Sequence, residues 1–223
     1  MSRRRYYDHE PVYRRRREQG FRGWDSPDGA NPFGAFQDFL ESGAAPAVSR
    51  ALNLGCGGGE IAICLSRRGW AVTAIDYSPT AVDLSRTNAE EAGVPINLLV
   101  ADLTEPWPLE SGIFSLAIDN HVLHCLIGPG DRLAFLHNAF GALRTGGIMF
   151  SANMSAEGNL DYARHGIDPV TRIDSHRTRY WATRDELVEE FSQAGFRIAS
   201  VRVLEQDSTD DNAGAEIVIY AAK

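Results

Sequence analysis

Lysine is all but missing from this chain. Of its 22 basic residues 21 are arginine, and the single lysine is Lys223. A Schiff-base lysine and the lysine of a P-loop are therefore excluded, and with them pyridoxal chemistry and P-loop nucleotide hydrolysis. Cysteine is scarce: Cys56, Cys64 and Cys125 form neither a CxxC pair nor an even set, so a reducing, cytoplasmic setting is expected. No apolar run approaches the roughly 18 residues that a membrane span needs. The opening "MSRRRYYDHEPVYRRRR" lacks the apolar stretch of a secretory signal. Internal repeats and low-complexity tracts are absent too.

What is present fits one α/β domain: 223 residues can bury a real core. The net charge of −8 is unevenly spread. Residues 1–24 hold eight arginines against Asp8, Glu10 and Glu18, leaving +5 there and −13 on the rest. A basic head invites a nucleic-acid reading. The plainer alternative is a solvated helix face, or a cap whose arginines pair with an acidic body that would itself repel a phosphate backbone.

Residues 9–20 suit a short arginine-rich helix, followed by the Gly- and Pro-rich loop "GFRGWDSPDGANP" and a helix in "FGAFQDFLESG". From Ser49 onward short apolar runs alternate with helices. "RALNLG", "WAVTAID", "INLLVAD", "FSLAIDN" and "IMFSAN" read as strands. "GEIAICLSRRG", "SPTAVDLSRTNAEEAG", "DRLAFLHNAFGALRTGG" and "TRDELVEEFSQAG" read as helices. Ser78 is placed as an N-cap with Pro79 at the first position, Gly93 as a stop, and Thr183 with Glu186 as a capping box. Such alternation means βαβ units and a parallel sheet covered on both faces. Only "DSTDDNAG" separates the last two runs, "RIASVRVLEQ" and "AEIVIYAAK", too short for a crossover helix, so they should pair antiparallel at the sheet edge.

The stretch "LNLGCGGGEIA" fits two patterns. Gly57 to Ala62 satisfies the dinucleotide form G-x-G-x-x-[GA], with Asp76 at the expected distance. Gly55 to Gly59 satisfies G-x-G-x-G directly after the strand. The second match extends further. "LNLGCGGGE", Asp76 at the end of the next strand, Ala101-Asp102 and "IDNHVLH" together resemble the successive motifs of class I S-adenosylmethionine-dependent methyltransferases, and the closing hairpin resembles that family's seventh strand. The resemblance covers about residues 46–223. It implies a Rossmann-like α/β fold, a mostly parallel seven-stranded sheet with an antiparallel last strand and helices on both faces.

It also implies S-adenosylmethionine as cofactor, held by Asn53, Gly55, Cys56, Gly57, Asp76, Tyr77, Asp102, Leu103 and Asp119. Bare glycines let the backbone approach the methionine part. Asp76 would accept the ribose hydroxyls, or merely cap the helix that follows. Asp102 would accept the adenine amino hydrogens, or cap a turn. Cys56 has a plainer reading as a small buried residue. The sequence departs from the family at Asn53, where an acid is usual, so a negative charge is missing from the methionine pocket. "YRRRREQGFRGWD" is similar to the segment preceding the core of thiopurine- and tellurite-resistance-type methyltransferases, which implies that Trp24, and with it Tyr13, folds over the cofactor; Trp24 as a packing anchor is the alternative. Residues 1–45 then form a cap and 46–223 the core.

His121 is the candidate base, by position and by its near-neutral ordinary pKa. Its alternative is a neutral histidine bonded at the cleft edge. His121-x-x-His124 lacks a matched third ligand, so no metal is expected. The N-P-P-[YF] run of methyltransferases acting on nucleobase or amide nitrogen is absent. Residues 155–181 are too long for a simple connection and carry Tyr162, His165, Arg172, His176, Arg177, Arg179 and Tyr180. In the resembled family such insertions line the substrate pocket, with Tyr162, His165, Arg177, Arg179 and Tyr180 as the candidates. A cationic lid on an acidic protein hints at an anionic substrate such as a carboxylate, against surface ion pairs as the plainer reading. The expected function is methyl transfer to a small molecule by a monomer or homodimer, with neither nucleic acid nor membrane as partner. Rivals are a same-fold enzyme performing cyclisation or aminocarboxypropyl transfer, a NAD-dependent oxidoreductase, and a non-catalytic RNA-binding module using the arginine-rich head.

Overall fold

The computed structural model describes residues 5–24, 34–158, 160–174, 178–204 and 215–223. A short 3-10 turn, Arg5–Asp8, leads into α1 (His9–Glu18), and α2 (Gly34–Glu41) precedes the sheet. The alternating part runs β1 (Arg50–Leu54), α3 (Glu60–Arg67), β2 (Ala71–Asp76), α4 (Pro79–Ala92), β3 (Asn97–Val100), β4 (Phe114–Asn120), α5 (Pro129–Ala142) and β5 (Leu143–Met154). A two-stranded insert, β6 (Ile173–Asp174) and β7 (Arg179–Tyr180), is followed by α6 (Arg184–Gln193), β8 (Arg197–Leu204) and β9 (Glu216–Ala222).

The seven-stranded sheet has the order β3-β2-β1-β4-β5-β9-β8. Strands β1 to β5 pair in parallel, and β9 runs antiparallel to both β5 and β8. Side chains alternate across the pleat, so successive residues feed two cores. Leu52, Leu54, Ala117, Met149, Ile217 and Ile219 meet α5 and α6 on one face. Ala51, Ala74, Leu116, Ile118, Phe150 and Val218 meet α2 and α3 on the other.

Local signals set the helix ends. Ser78 Oγ accepts the Ala81 N–H at 3.0 Å, Pro79 opens α4, and Gly93 closes it at φ +66°. Thr183 and Glu186 form the reciprocal capping box of α6. One boundary moved: the helix expected to run through Gly147 ends at Ala142, and Leu143–Gly147 joins β5 through a register shift against β4. The reversal at Gly146, φ +74°, is a backbone state that a helix cannot hold.

Candidate active site

The carboxyl ends of β1 and β2 make the first half of the site. The loop Gly55–Gly59 turns from β1 into α3. Gly57 sits at φ +53°, and a Cβ there would lie 2.9 Å from the Tyr13 hydroxyl. Gly55 sits at φ +65°, where a Cβ would come within 2.3 Å of Val122 Cγ2. Beneath the loop Asp76 is buried and accepts the Gly57 N–H at 3.0 Å and the Ser78 N–H at 2.9 Å. Burial pushes its carboxyl up to about 6, against the lowering effect of those two N–H groups. Asn53 is buried on β1, and its Oδ1 finds no hydrogen-bond partner. Cys56 is buried, and burial holds its thiol well above the ordinary range, so it is no nucleophile.

These features fit the expected cofactor. The Asn53 oxygen is a buried acceptor in need of a donor, and a side chain in place of Gly57 would fill the space under Tyr13. Gly55, Gly57 and Asn53 would hold the methionine end, and Asp76 the ribose.

The N-terminal segment covers this half. Tyr13 packs with Ala81 and Leu84 of α4, and Trp24 leans against it with ring centroids 5.4 Å apart. Tyr6 and Tyr7 both donate to the Asp102 carboxylate, at 2.7 and 2.6 Å, and Tyr7 stacks on Tyr77 at 5.2 Å. Burial works to raise the Asp102 carboxyl, but bonds from Tyr7, Thr104 and Tyr6 outweigh it and hold the group below its ordinary range. The Tyr77 hydroxyl accepts the Glu10 N–H and donates to the Tyr7 carbonyl. Glu10 accepts from the Ser78 and Thr80 hydroxyls at the start of α4, where the helix dipole favours an anion. Leu103 is buried in the same apolar core as Tyr6. The basic head therefore pairs with acidic groups: Arg14 with Glu10, Arg17 with Asp83, Arg22 with Glu91.

The second half is the turn after β4. Asp119 lies at the floor, fully buried. Its Oδ1 accepts the Val122 and Leu123 N–H groups, and its Oδ2 accepts from the Ser151 hydroxyl. These bonds make Asp119 the residue that shapes the turn. His121 sits at φ +66°, an uncommon state for a residue with a side chain, and its Nε2 lies 2.9 Å from Glu216 Oε1 on β9. Its ring stands edge-on to His124 at 5.4 Å. His124 is buried, and burial first, then repulsion from Arg179, holds its pKa well below the ordinary value. Its Nε2 has no partner.

Of the described lid candidates, Arg179 comes to this turn. Arg179 is half-buried, with its guanidinium 5.9 Å from the Trp24 ring and Nη1 3.8 Å from Met154 Sδ. No carboxylate among the described residues pairs with it, and its Nε is unpartnered. His9 packs edge-on to Trp24; its pKa is lowered to about 4 by burial and by Arg179, partly opposed by Asp8. Tyr180, next along β7, points the other way. Its ring lies 4.1 Å under the Arg132 guanidinium, and Arg172 donates to its hydroxyl. These contacts anchor Tyr180 in the lid. His165 packs near Trp181 at 5.8 Å, and Tyr162 donates to the Ala156 carbonyl. His176 and Arg177 lie outside the described residues. Among the described residues no group of three His, Cys, Asp or Glu side chains is placed to hold a metal.

Sequence reasoning missed Tyr6, Tyr7, Glu10 and Glu216. The paired tyrosines before Asp8 were the one local hint; the contacts they make are 95 and 96 residues away.

Residues 51–147 match the family described as a methyltransferase domain. The chain is similar to a solved S-adenosylmethionine-dependent methyltransferase from Methanosarcina mazei, with TM-score 0.73 and 21% identity over 82% of this chain and 96% of that one. It is also similar to the 1,6-didemethyltoxoflavin-N1-methyltransferase of Burkholderia thailandensis, with TM-score 0.70 and 20% identity over 98% and 86% of the two chains. The fold is the Rossmann-like one of these solved structures, and the stretch that matches the methyltransferase domain runs on it from β1 into β5. The chain is 34% identical over 151 residues to a ubiquinone biosynthesis O-methyltransferase of Caulobacter vibrioides, a stretch that is 66% of this chain and 59% of that enzyme. The namesake of a Methylobacterium species is 32% identical over 47% of this chain and 40% of its own length. The chain thus spans about half the length of these two relatives.

Proposed function

We propose that this chain transfers the methyl group of S-adenosylmethionine to a small molecule bearing an acidic group. One observation carries the reading: the turn that holds His121 is in van der Waals contact with the bare loop, through Val122 against Gly55. A candidate base thus stands beside the place where Gly55, Gly57 and Asn53 would hold the methionine end of the cofactor. The cofactor, when bound, supplies an electrophilic methyl on a sulfonium. The protein aligns the acceptor, excludes water and takes a proton. Residues 1–45 act as a cap, since Tyr6, Tyr7, Tyr13 and Trp24 lie over the cofactor side, and residues 155–181 act as the acceptor's lid. Arg179 supports an anionic acceptor: a half-buried guanidinium without a carboxylate partner among the described residues is costly to leave unpaired. The three cysteines are all free, which suits a reducing compartment. No described helix is long and apolar enough to cross a membrane.

A thermal-shift comparison tests the cofactor. S-adenosylhomocysteine at a hundredfold excess over its dissociation constant should stabilise the protein by about 2.7 kcal/mol, and NADH should not. Stabilisation by NADH alone would sink the reading.

A further inference from the structure

We propose that Glu216 is a positioning residue for the transfer reaction: it fixes His121 with the proton on Nε2, so that Nδ1 carries the lone pair that faces the acceptor. This rests on the methyl-transfer reading above for the identity of the reaction, but not for the pairing itself.

The geometry has three parts. First, His121 Nε2 lies 2.9 Å from Glu216 Oε1, and the Glu216 side chain is only 12% exposed while that of His121 is 39% exposed. An ionised carboxylate only accepts hydrogen bonds, so the imidazole nitrogen must be the donor, and in a neutral ring the lone pair is then on Nδ1. Second, neither partner is held by chance. Glu216 opens β9 opposite Met154 of β5 and Leu204 of β8, which fixes where its side chain starts. His121 is held at φ +66° by its N–H to the Ala152 carbonyl at 2.9 Å, and Cys125 Sγ lies 3.6 Å from the His121 carbonyl oxygen. A non-glycine residue in that state costs about 1–3 kcal/mol, which the surrounding bonds must outweigh, and such positions gather at functional sites. Third, the turn abuts the glycine loop through Val122 and Gly55. The ring also stands edge-on to the buried His124, and the nearby Asp119 is occupied by its own turn.

The step balances as follows. The acceptor's X–H proton passes to Nδ1. The freed pair on X forms the bond to the methyl carbon as the carbon–sulfur bond breaks, and that pair stays on sulfur, turning a sulfonium into a thioether. The imidazolium left behind is paired with the Glu216 carboxylate, and its proton is later lost to solvent at the exposed edge of the ring.

The test needs no acceptor. Nitrogen-15 spectra of the histidines, recorded on the full chain with S-adenosylhomocysteine, should show His121 protonated at Nε2 and unprotonated at Nδ1. Glu216→Leu should give a mixture of both tautomers, and Glu216→Gln, which retains an acceptor oxygen, should restore the single form. The second readout uses sinefungin, a cofactor analogue with an amine in place of the methyl-bearing sulfonium. Binding it should move the His121 Nδ1 resonance, and Glu216→Leu should weaken sinefungin roughly 2- to 12-fold relative to S-adenosylhomocysteine, the worth of one hydrogen bond. An Nδ1–H tautomer in the unsubstituted protein, or spectra that Glu216→Leu leaves unchanged, would overturn the proposal. So would sinefungin binding that leaves His121 unmoved. Failure of both cofactor analogues to bind would count instead against the methyl-transfer reading, with the tautomer still reporting on Glu216.

Discussion

Between Arg50 and Asp102 the site is assembled almost in chain order. The loop after β1, the acid ending β2, the cap of α4 and the residue beyond β3 follow one another along a parallel sheet. Around His121 the opposite holds. That side draws Trp24 from the segment after α1, His121 and His124 from one turn, Met154 from β5, Arg179 from β7 and Glu216 from β9. The cofactor side is backbone geometry that a few glycines and caps dictate locally. The side around His121 is a convergence of side chains that only the sheet order permits. A change that disturbs one should therefore leave much of the other intact.

The largest expected effect is on the acceptor side. Arg132 is 5% exposed and donates two bonds to Glu190 across α5 and α6 while covering Tyr180. Arg132→Ala should cost about 3 kcal/mol by urea unfolding, because it strands a half-buried carboxylate. Affinity for S-adenosylhomocysteine, read by calorimetry at a temperature where the variant is folded, should stay within about twofold, as expected of a distant, independent site. A large affinity loss would mean that the two sides are one unit.

Gly57→Asp attacks the other side. It forces a side chain into a left-handed residue and toward the Tyr13 hydroxyl 2.9 Å away, and sets a second carboxylate near Asp76. The ligand-induced stabilisation of about 2.7 kcal/mol at a hundredfold excess should vanish. A retained thermal shift would place the cofactor elsewhere.

Acid should sharpen the contrast by a smaller amount. Asp76 has its carboxyl raised to about 6 by burial. If it accepts ribose hydroxyls, as the resemblance implies, binding favours the ionised form and lowers its pKa. Affinity is then full above pH 6 and falls as pH drops through 6 toward the value in the complex, by at most about tenfold per unit. Calorimetry in buffers of different ionisation enthalpy should show proton release on binding near pH 6. Constant affinity from pH 7 to 5 would remove Asp76 from the cofactor's contacts.

The smallest effect tests the cap. Glu10→Gln keeps the shape but removes the charge at the start of α4, and should cost about 0.3–1 kcal/mol of stability. Quenching of Trp24 fluorescence by acrylamide should rise with it. An unchanged stability and quenching would mean that the cap is held by Tyr13 and its apolar neighbours alone.

The chain order and period of its apolar residues determined the sheet and its helices, because alternation every second residue and caps such as Ser78-Pro79 and Thr183-Glu186 act within a few residues. The bare loop and Asp76 were legible for the same reason: the demand for glycine at positive φ is local. Arg179 and Tyr180 could be named from sequence but not placed, since which face of a two-residue strand looks inward depends on what packs there. The clasp of Tyr6 and Tyr7 on Asp102, the burial of Asp119 and the pairing of His121 with Glu216 were decided by tertiary structure alone. Hydrogen bonds between residues nearly a hundred apart leave no periodicity in the chain; they exist only once β9 has slotted antiparallel between β5 and β8 and the N-terminal segment has docked on α4.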